Sequence, residues 1–368
     1  MAKRKSYIVS GGGTGGHIYP ALAIANAIKK LEKDADILFV GAKGKMEMEK
    51  VPKAGYPIKG LWISGLQRGK ILVNLLFPLK MLISLLEAFR IILTERPTTV
   101  IGTGGFASGP MALMATWMGV PVYVQEQNSY PGITNKQLAK FAKKVFVAYP
   151  EMERFFPKDK VVLLGNPIRE DLNTVTKSRK ELIEHFGLVS ESKKTLLVLG
   201  GSLGARAINN FWKENIEAFV QTDYQILWQC GTFYYKDCSQ FINQIGNPEN
   251  VSLQEFIYDM PEAYAVADLV ISRAGALSIS ELSAAGKPVI YIPSPNVAEN
   301  HQYKNAEVLS NAKAAILLKE KDIKELYSLC LSLLKDEDQL ETLSINNLKM
   351  ARAEAASAIA KIIVGKDD

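Results

Sequence analysis

Residues 8–22 read IVSGGGTGGHIYPAL, a short apolar run that breaks into five glycines, a threonine and a histidine before a proline that opens a helix-like segment. Residues 195–211, TLLVLGGSLGARAINNF, repeat the plan of apolar run, glycines and amphipathic helix. In both stretches backbone N–H groups and the positive end of a helix converge where a strand ends, the arrangement that holds a phosphate. Glycine is required there because the chain must turn sharply and let a ligand approach its backbone.

Outward from these two openings, strand-like runs recur: SYIVS, DILFV, TTVIGT, PVYVQ, VFVA and VVLLG before residue 166, then TLLVLG, QILWQ, NVSLQ, LVISR, PVIYI and AAILL. Helix-length or Gly/Pro-bearing segments separate them, which predicts parallel α/β units. The polar interval NPIREDLNTVTKSRKE (166–181) divides the two series. The expectation is two doubly wound, Rossmann-like domains, 1–168 and 169–349. A chain of 368 residues with 48% hydrophobic and 22% charged residues is large enough for two cores.

Composition excludes several classes. Cys230, Cys238 and Cys330 have neither metal-ligand nor disulfide-framework spacing, so they are expected to pack in a reducing compartment, and no metal site is predicted. The basic start MAKRKSYIVS lacks the apolar core and cleavage site of a secretion signal. Residues 61–94 are the most apolar region, but Arg68, Lys70, Pro78, Lys80, Glu87 and Arg90 interrupt them, so no bilayer-spanning run is expected. Residues 1–168 carry 23 Lys and Arg against 11 Asp and Glu, and residues 169–368 carry 21 against 27. The basic half calls for an anionic partner; with no aromatic-interleaved basic strand or recognition helix, a membrane surface fits better than nucleic acid.

Gly11, Gly13 and Gly16 satisfy G-x-G-x-x-G, but a dinucleotide site also needs an acid near the end of the second strand. DILFV is followed by GAKGK, and Asp36 stands at its beginning. A third glycine cluster, GTGGFASGP (102–110), follows another strand and adds a second turn for an extended polar ligand.

GGGTGGHIYPALA (11–23), GTGGFASGP, EQN (126–128), GNPIR (165–169), GGSLGAR (200–206) and SRAGALSISELSAAGKPVIYIPSP (272–295) stand in order along nearly the whole chain. Together they resemble the glycosyltransferase family 28 enzymes of peptidoglycan synthesis. The resemblance implies the GT-B fold, two Rossmann-like domains facing across a cleft, with a C-terminal helix, about 350–368, packing back on the first domain. It also implies inverting transfer of N-acetylglucosamine from UDP-N-acetylglucosamine to the muramoyl 4-hydroxyl of undecaprenyl-diphosphate-linked lipid I, giving lipid II. No cofactor is implied. The partners implied are lipid I, the anionic cytoplasmic face of the bacterial membrane, where the enzyme would sit peripherally, and cell-wall or division proteins. Two motif positions depart from the commoner family pattern: Gln125 where many members have His, and Leu203 where many have Gln.

By the same resemblance, Arg169 and Ser202 are expected at the donor diphosphate, Ala276, Leu277 and Ser278 supply amides near it, and the backbone at Ile257 meets uracil. Glu281 takes the ribose hydroxyls; as a carboxylate it can accept from both. Gln302 and Asn128 are expected on the sugar, and Thr14, Gly15 and Gly16 complete the donor set. Gly13, Gly104 and Gly105 are expected at the acceptor diphosphate. Inversion requires one displacement assisted by a base near neutral pKa. His17 suits that role, or else contacts the acceptor phosphate or caps its helix; Glu126 is the rival base. Ile71, Leu72, Leu75, Leu76, Leu79 and Lys80 form the candidate membrane patch, against the plainer expectation of a buried helix. Two other functions fit less of the motif set: transfer to a different lipid, and a non-catalytic nucleotide-binding protein.

Overall fold

In a computed structural model, described here for residues 4–65, 75–169, 172 and 174–366, the chain divides into two compact units. One comprises Met1–Ile168 with Arg352–Asp368, the other Arg169–Ala351. Each is a parallel sheet with helices packed against it.

The first sheet contains β1 (Ser6–Gly11), β2 (Asp36–Ala42), β3 (Ile58–Leu61), β4 (Thr99–Gly104), β5 (Val122–Glu126), β6 (Lys144–Val147) and β7 (Val161–Leu163) in the order β3-β2-β1-β4-β5-β6-β7. The second contains β8 (Thr195–Leu199), β9 (Gln225–Gln229), β10 (Val251–Gln254), β11 (Leu269–Ser272), β12 (Val289–Tyr291) and β13 (Ile316–Leu317) in the order β10-β9-β8-β11-β12-β13. Twelve of these strands coincide with the apolar runs, because a strand covered on both faces must be apolar throughout. β3 was not among them: its sequence IKGL is half exposed at the sheet edge, where Lys59 and Gly60 break the apolar signal.

Strand order reverses between β1 and β4 in the first unit and between β8 and β11 in the second. Such switch points open a crevice at the carboxyl ends of the strands. The glycine turns after β1 and β4 meet at the first, and those after β8 and β11 follow the two adjacent strands at the second.

The helix after β1 begins at Gly15, five residues before the proline expected to open it; Pro20 lies inside the helix. The N–H that proline lacks would have bonded to the Gly16 carbonyl, one turn back, so the helix gives up one intrahelical hydrogen bond near its start. The helix Ala355–Val364 packs Ile359, Ala360 and Ile363 against Ile24, Ala25 and Ile28 of the helix Gly15–Leu31. Lys5 Nζ to the Val364 carbonyl and Lys366 Nζ to the Leu31 carbonyl tie the same segment down. In the second unit, Ile208, Phe211, Trp212, Ile216 and Phe219 form one face of the helix Arg206–Val220 and join Leu196, Val198, Ile226 and Trp228 in the core. Burying each such side chain contributes about 1.5–3 kcal/mol. Cys230, Cys238 and Cys330 are all buried.

Candidate active site

At the β1–β4 switch point the two glycine turns touch backbone to backbone. Gly12 N–H donates to the Gly104 carbonyl at 3.3 Å. A Cβ on Gly105 would fall 2.1 Å from the Gly12 oxygen, so this residue must be glycine. Gly104 and Gly105 both have positive φ, 100° and 86°, which adds strain to any substitution. Thr14 is the N-cap of the Gly15–Leu31 helix, and Gly15 and Gly16 occupy its first turn, where amides have no intrahelical acceptor.

His17 stands in the first turn of that helix, half buried. Its Nδ1 lies 3.0 Å from the Gly12 carbonyl and 3.3 Å from Thr14 Oγ1. A carbonyl only accepts, so a neutral ring carries its proton on Nδ1 and its basic lone pair on Nε2. A Cβ on Gly104 would fall 3.0 Å from Nε2, so the ring edge lies against the β4 turn. The backbone of His17 is fixed as well, its carbonyl accepting from Thr103 Oγ1 at 2.9 Å.

Glu126, expected as the rival base, is placed differently. It is 1% exposed, and its oxygens accept from Asn128 N, Asn128 Nδ2, Gly132 N and Asn135 Nδ2 at 2.8–3.2 Å. Burial pushes its carboxyl above the usual range while these four donors pull the other way. A carboxylate this enclosed organises the loop 126–135, and the structure gives it no approach to a substrate proton. Asn128 reaches Glu126 through both its main-chain and its side-chain nitrogen. Gln125, in the departed motif position, is fully buried and bonds Asn166 Oδ1, so it belongs to this polar network rather than to a ligand surface.

Gly13 also departs from expectation. Its N–H, anticipated as a phosphate donor, is given to Glu47 Oε2 at 2.9 Å. Glu47 begins the short helix Glu47–Lys53 beyond β2, is 0% exposed, and takes the Ala42 N–H on its other oxygen at 2.9 Å. This is the acid after the second strand that the dinucleotide pattern lacked at its usual place. With both oxygens bound to backbone beneath the glycine turn, it cannot receive a ribose. The only sequence trace of this residue is the pair of glycines that make room for it: a Cβ on Gly12 or Gly41 would fall 2.1 or 2.4 Å from Glu47 atoms.

In the second unit the turn after β8 is closed by Gly204 N–H to the Gly201 carbonyl and by Thr232 N–H to the Ser202 carbonyl, both 3.1 Å. Ser202 and Leu203 are exposed on it. Gln229, which the sequence did not single out, joins this turn to the loop after β10: its Nε2 donates to the Gly201 carbonyl at 3.1 Å and its Oε1 accepts from Ile257 N at 3.3 Å. The Ile257 N–H is thereby engaged within the protein.

Gly275 caps the helix Ala276–Ala284, so the amides of Ala276, Leu277 and Ser278 are its first N–H groups. One turn further, Glu281 Oε1 lies 3.3 Å from Arg169 Nε and Oε2 accepts from Tyr264 OH at 3.0 Å. The structure thus brings Arg169 and Glu281 together, although the sequence placed one at the diphosphate and the other at the ribose. Burial raises the Tyr264 hydroxyl well above its usual pKa, and the neighbouring carboxylate adds to the shift. Gln302 Oε1 accepts from Ser294 N at 2.9 Å, which fixes the side chain with its Nε2 as the remaining donor.

Leu75, Leu76, Leu79, Leu82 and Leu86 are exposed, Leu75 at 67% and Leu82 at 57%, on and just before the helix Phe77–Glu95. That helix buries Ser84, Ala88, Ile91 and Ile92 on its other face. It is therefore a packed helix with an uncovered leucine stripe. Ile71 and Leu72 lie outside the described residues. Lys80 bonds Ser64 Oγ at 2.9 Å and lies 5.7 Å above the Trp62 ring. No helix among the described residues is long and apolar enough to cross a membrane.

His185 lies 3.3 Å from Asp259 and 3.5 Å from Glu262, the one grouping with metal-ligand geometry among the described residues. Lys177 Nζ already occupies Glu262 at 2.8 Å, and the cluster is away from both glycine turns in sequence.

The glycosyltransferase family 28 N-terminal domain matches residues 7–147 and its C-terminal domain residues 195–362. A protein of Flavobacterium psychrophilum named UDP-N-acetylglucosamine--N-acetylmuramyl-(pentapeptide) pyrophosphoryl-undecaprenol N-acetylglucosamine transferase is 52% identical over 359 residues, 97% of this chain and 96% of its own length. Its namesake from Cytophaga hutchinsonii is 51% identical over 98% of this chain and 96% of its own. The crystal structure of Acinetobacter baumannii MurG superposes with a TM-score of 0.77 at 27% identity, covering 99% of this chain and 100% of that one.

Proposed function

The chain belongs to glycosyltransferase family 28, and on that premise we propose that it transfers N-acetylglucosamine from UDP-N-acetylglucosamine to the muramoyl 4-hydroxyl of lipid I, with inversion, forming lipid II. The observation that carries the chemistry is His17, whose Nδ1 is anchored on the Gly12 carbonyl so that Nε2 is the basic nitrogen. Nε2 takes the proton of the 4-hydroxyl as that oxygen forms a bond to the anomeric carbon. The bond from that carbon to the diphosphate oxygen breaks, and UDP leaves with the electron pair.

The second unit holds the donor. The amides at the start of the Ala276–Ala284 helix and the turn at Ser202 meet the charge that grows on the departing diphosphate, the kind of fixed donor set that lowers such a barrier. Glu281 takes the ribose hydroxyls, and Arg169 moves from the carboxylate toward the diphosphate or bridges the two. The Ile257 carbonyl receives uracil N3–H. In the first unit, Gly104 and Gly105 offer backbone to the acceptor diphosphate. The enzyme works peripherally on an anionic membrane surface through the Leu75–Leu86 stripe. Incubation of purified protein with labelled UDP-N-acetylglucosamine and a short-chain lipid I analogue tests the reading. Labelled disaccharide-peptide lipid is expected; transfer to a different lipid with none to lipid I would overturn it.

Two further expectations follow from the contacts. Gln302 presents Nε2 toward the donor sugar, so kcat/KM should favour UDP-N-acetylglucosamine over UDP-glucose, and Gln302→Glu should narrow that preference. A site built to bond a group discriminates against a substrate that lacks it. Equal values for the two donors in the unaltered protein would remove Gln302 and Asn128 from the acetamido contact. For the membrane stripe, exchanging Leu79, Leu82 and Leu86 for Ser gives up about 1 kcal/mol per half-inserted leucine, so binding to vesicles of anionic phospholipid should weaken by about 100-fold. Turnover of a soluble acceptor should hold, since these side chains are exposed on the face of the helix opposite its buried Ser84, Ala88, Ile91 and Ile92. Undiminished vesicle binding would discard the stripe as the membrane surface.

A further inference from the structure

The Gly12–Gly13 peptide plane has Glu47 on one side and His17 on the other. Its N–H, from Gly13, is donated to Glu47 Oε2 at 2.9 Å, and its C=O, from Gly12, faces His17 Nδ1 at 3.0 Å. A trans peptide is planar with N–H and C=O pointing in opposite directions, so fixing one end fixes the other. We infer that Glu47 is a positioning residue for His17, acting through this single peptide group to hold the imidazole proton on Nδ1 and leave Nε2 basic. The inference deepens the assignment of His17 as the base and rests on it.

Several features support the relay. Glu47 is itself immobilised, fully buried, with Oε1 on the Ala42 N–H at the end of β2. A carboxylate has no hydrogen to give and repels a carbonyl, so it selects the orientation in which Gly13 N–H points toward it. Gly13 has φ +84°, a conformation in which the plane could otherwise turn at little cost because no Cβ opposes it. Donation of the N–H to a carboxylate also polarises the peptide and makes the Gly12 carbonyl a stronger acceptor for Nδ1–H, as in any chain of hydrogen bonds. In the preceding peptide, Gly12 N–H bonds the Gly104 carbonyl and ties this stretch of chain to the second turn.

The role differs from mere support of the loop because it specifies which ring nitrogen carries the proton. Nitrogen-15 NMR of protein labelled in the imidazole rings reads this directly, and the chain has only three histidines, so the His17→Ala spectrum assigns the signal. In the unaltered protein His17 should report Nδ1 protonated and Nε2 unprotonated; the opposite tautomer would overturn the inference without any variant. In Glu47→Gln an NH2 group must face either the Gly13 or the Ala42 amide, donor against donor. The His17 signal should then shift toward a mixture of tautomers. Its kcat should fall about tenfold, a fraction of what the base contributes, with KM for UDP-N-acetylglucosamine within twofold. A folded Glu47→Gln protein with an unmixed Nδ1–H signal would show Glu47 to be structural only, whatever its activity. Failure of His17 as the base would show instead as full turnover in His17→Ala, with the tautomer result left standing.

Discussion

His17→Ala should lower turnover by about 100-fold or more on both lipid I and a soluble acceptor analogue, because general-base assistance contributes about 10² to 10⁴ in rate. The exchange is clean in this fold. The His17 main-chain carbonyl still accepts from Thr103 Oγ1, alanine is the best helix former for the first turn, and the Gly12 carbonyl loses only one side-chain partner. UDP affinity should barely change, since Glu281, Arg169, Ile257 and the Ala276 amides all belong to the second unit. Steady-state rates on the two acceptors with calorimetric UDP titration separate the outcomes. Loss of turnover only on lipid I would move His17 to the acceptor diphosphate, the other role its position on the glycine turn permits. Undiminished turnover on both acceptors would end its candidacy as base, and the four donors around buried Glu126 make that residue a poor successor.

Much of this architecture was legible because parallel strands covered on both faces leave unbroken apolar runs, and because glycine turns at switch points leave clustered glycines. β3 escaped, since an edge strand needs apolar residues on one face only and IKGL supplies few. The leucine stripe was visible as composition but not as orientation: a helix with leucines on one face and Ser84, Ala88, Ile91 and Ile92 on another does not say in one dimension which face packs. The EQN motif marked Glu126 as important without revealing whether its carboxylate faced a ligand or its own loop. Four amide donors within 128–135 answer that, and three of them come from residues the motif does not include or from main chain. Glu47 was the least legible. Its partners are backbone amides at Ala42 and at Gly13, 34 residues earlier in the chain, and backbone amides carry no residue signature. Tyr264 was hidden for a related reason, being one aromatic in an apolar helix until the fold sets its hydroxyl against Glu281.

Glu281→Ala should weaken UDP binding by about 1.5–3 kcal/mol, the cost of removing hydrogen bonds to a charged acceptor, which is about 10- to 150-fold in Kd. Two further terms accompany this loss. The carboxylate pairs with Arg169 at 3.3 Å, so its removal frees the guanidinium for the diphosphate. Arg169 is 36% exposed, however, and a pair so hydrated contributes only about 0–1 kcal/mol, so the lost ribose contacts win. The second term acts on the fold: Tyr264 is buried and would lose its acceptor, which costs about 1–3 kcal/mol of stability and should lower the melting temperature. Glu281→Gln tells the two apart. Its carbonyl oxygen can still accept from Tyr264, so stability should largely return, while the loss of charge and of one acceptor keeps UDP binding weak. Calorimetry with UDP and thermal melts of both variants decide the matter. A folded Glu281→Ala protein with unaltered Kd would leave the carboxylate as no more than the partner of Tyr264 and Arg169, and the ribose would have to be held elsewhere at the β8–β11 crevice.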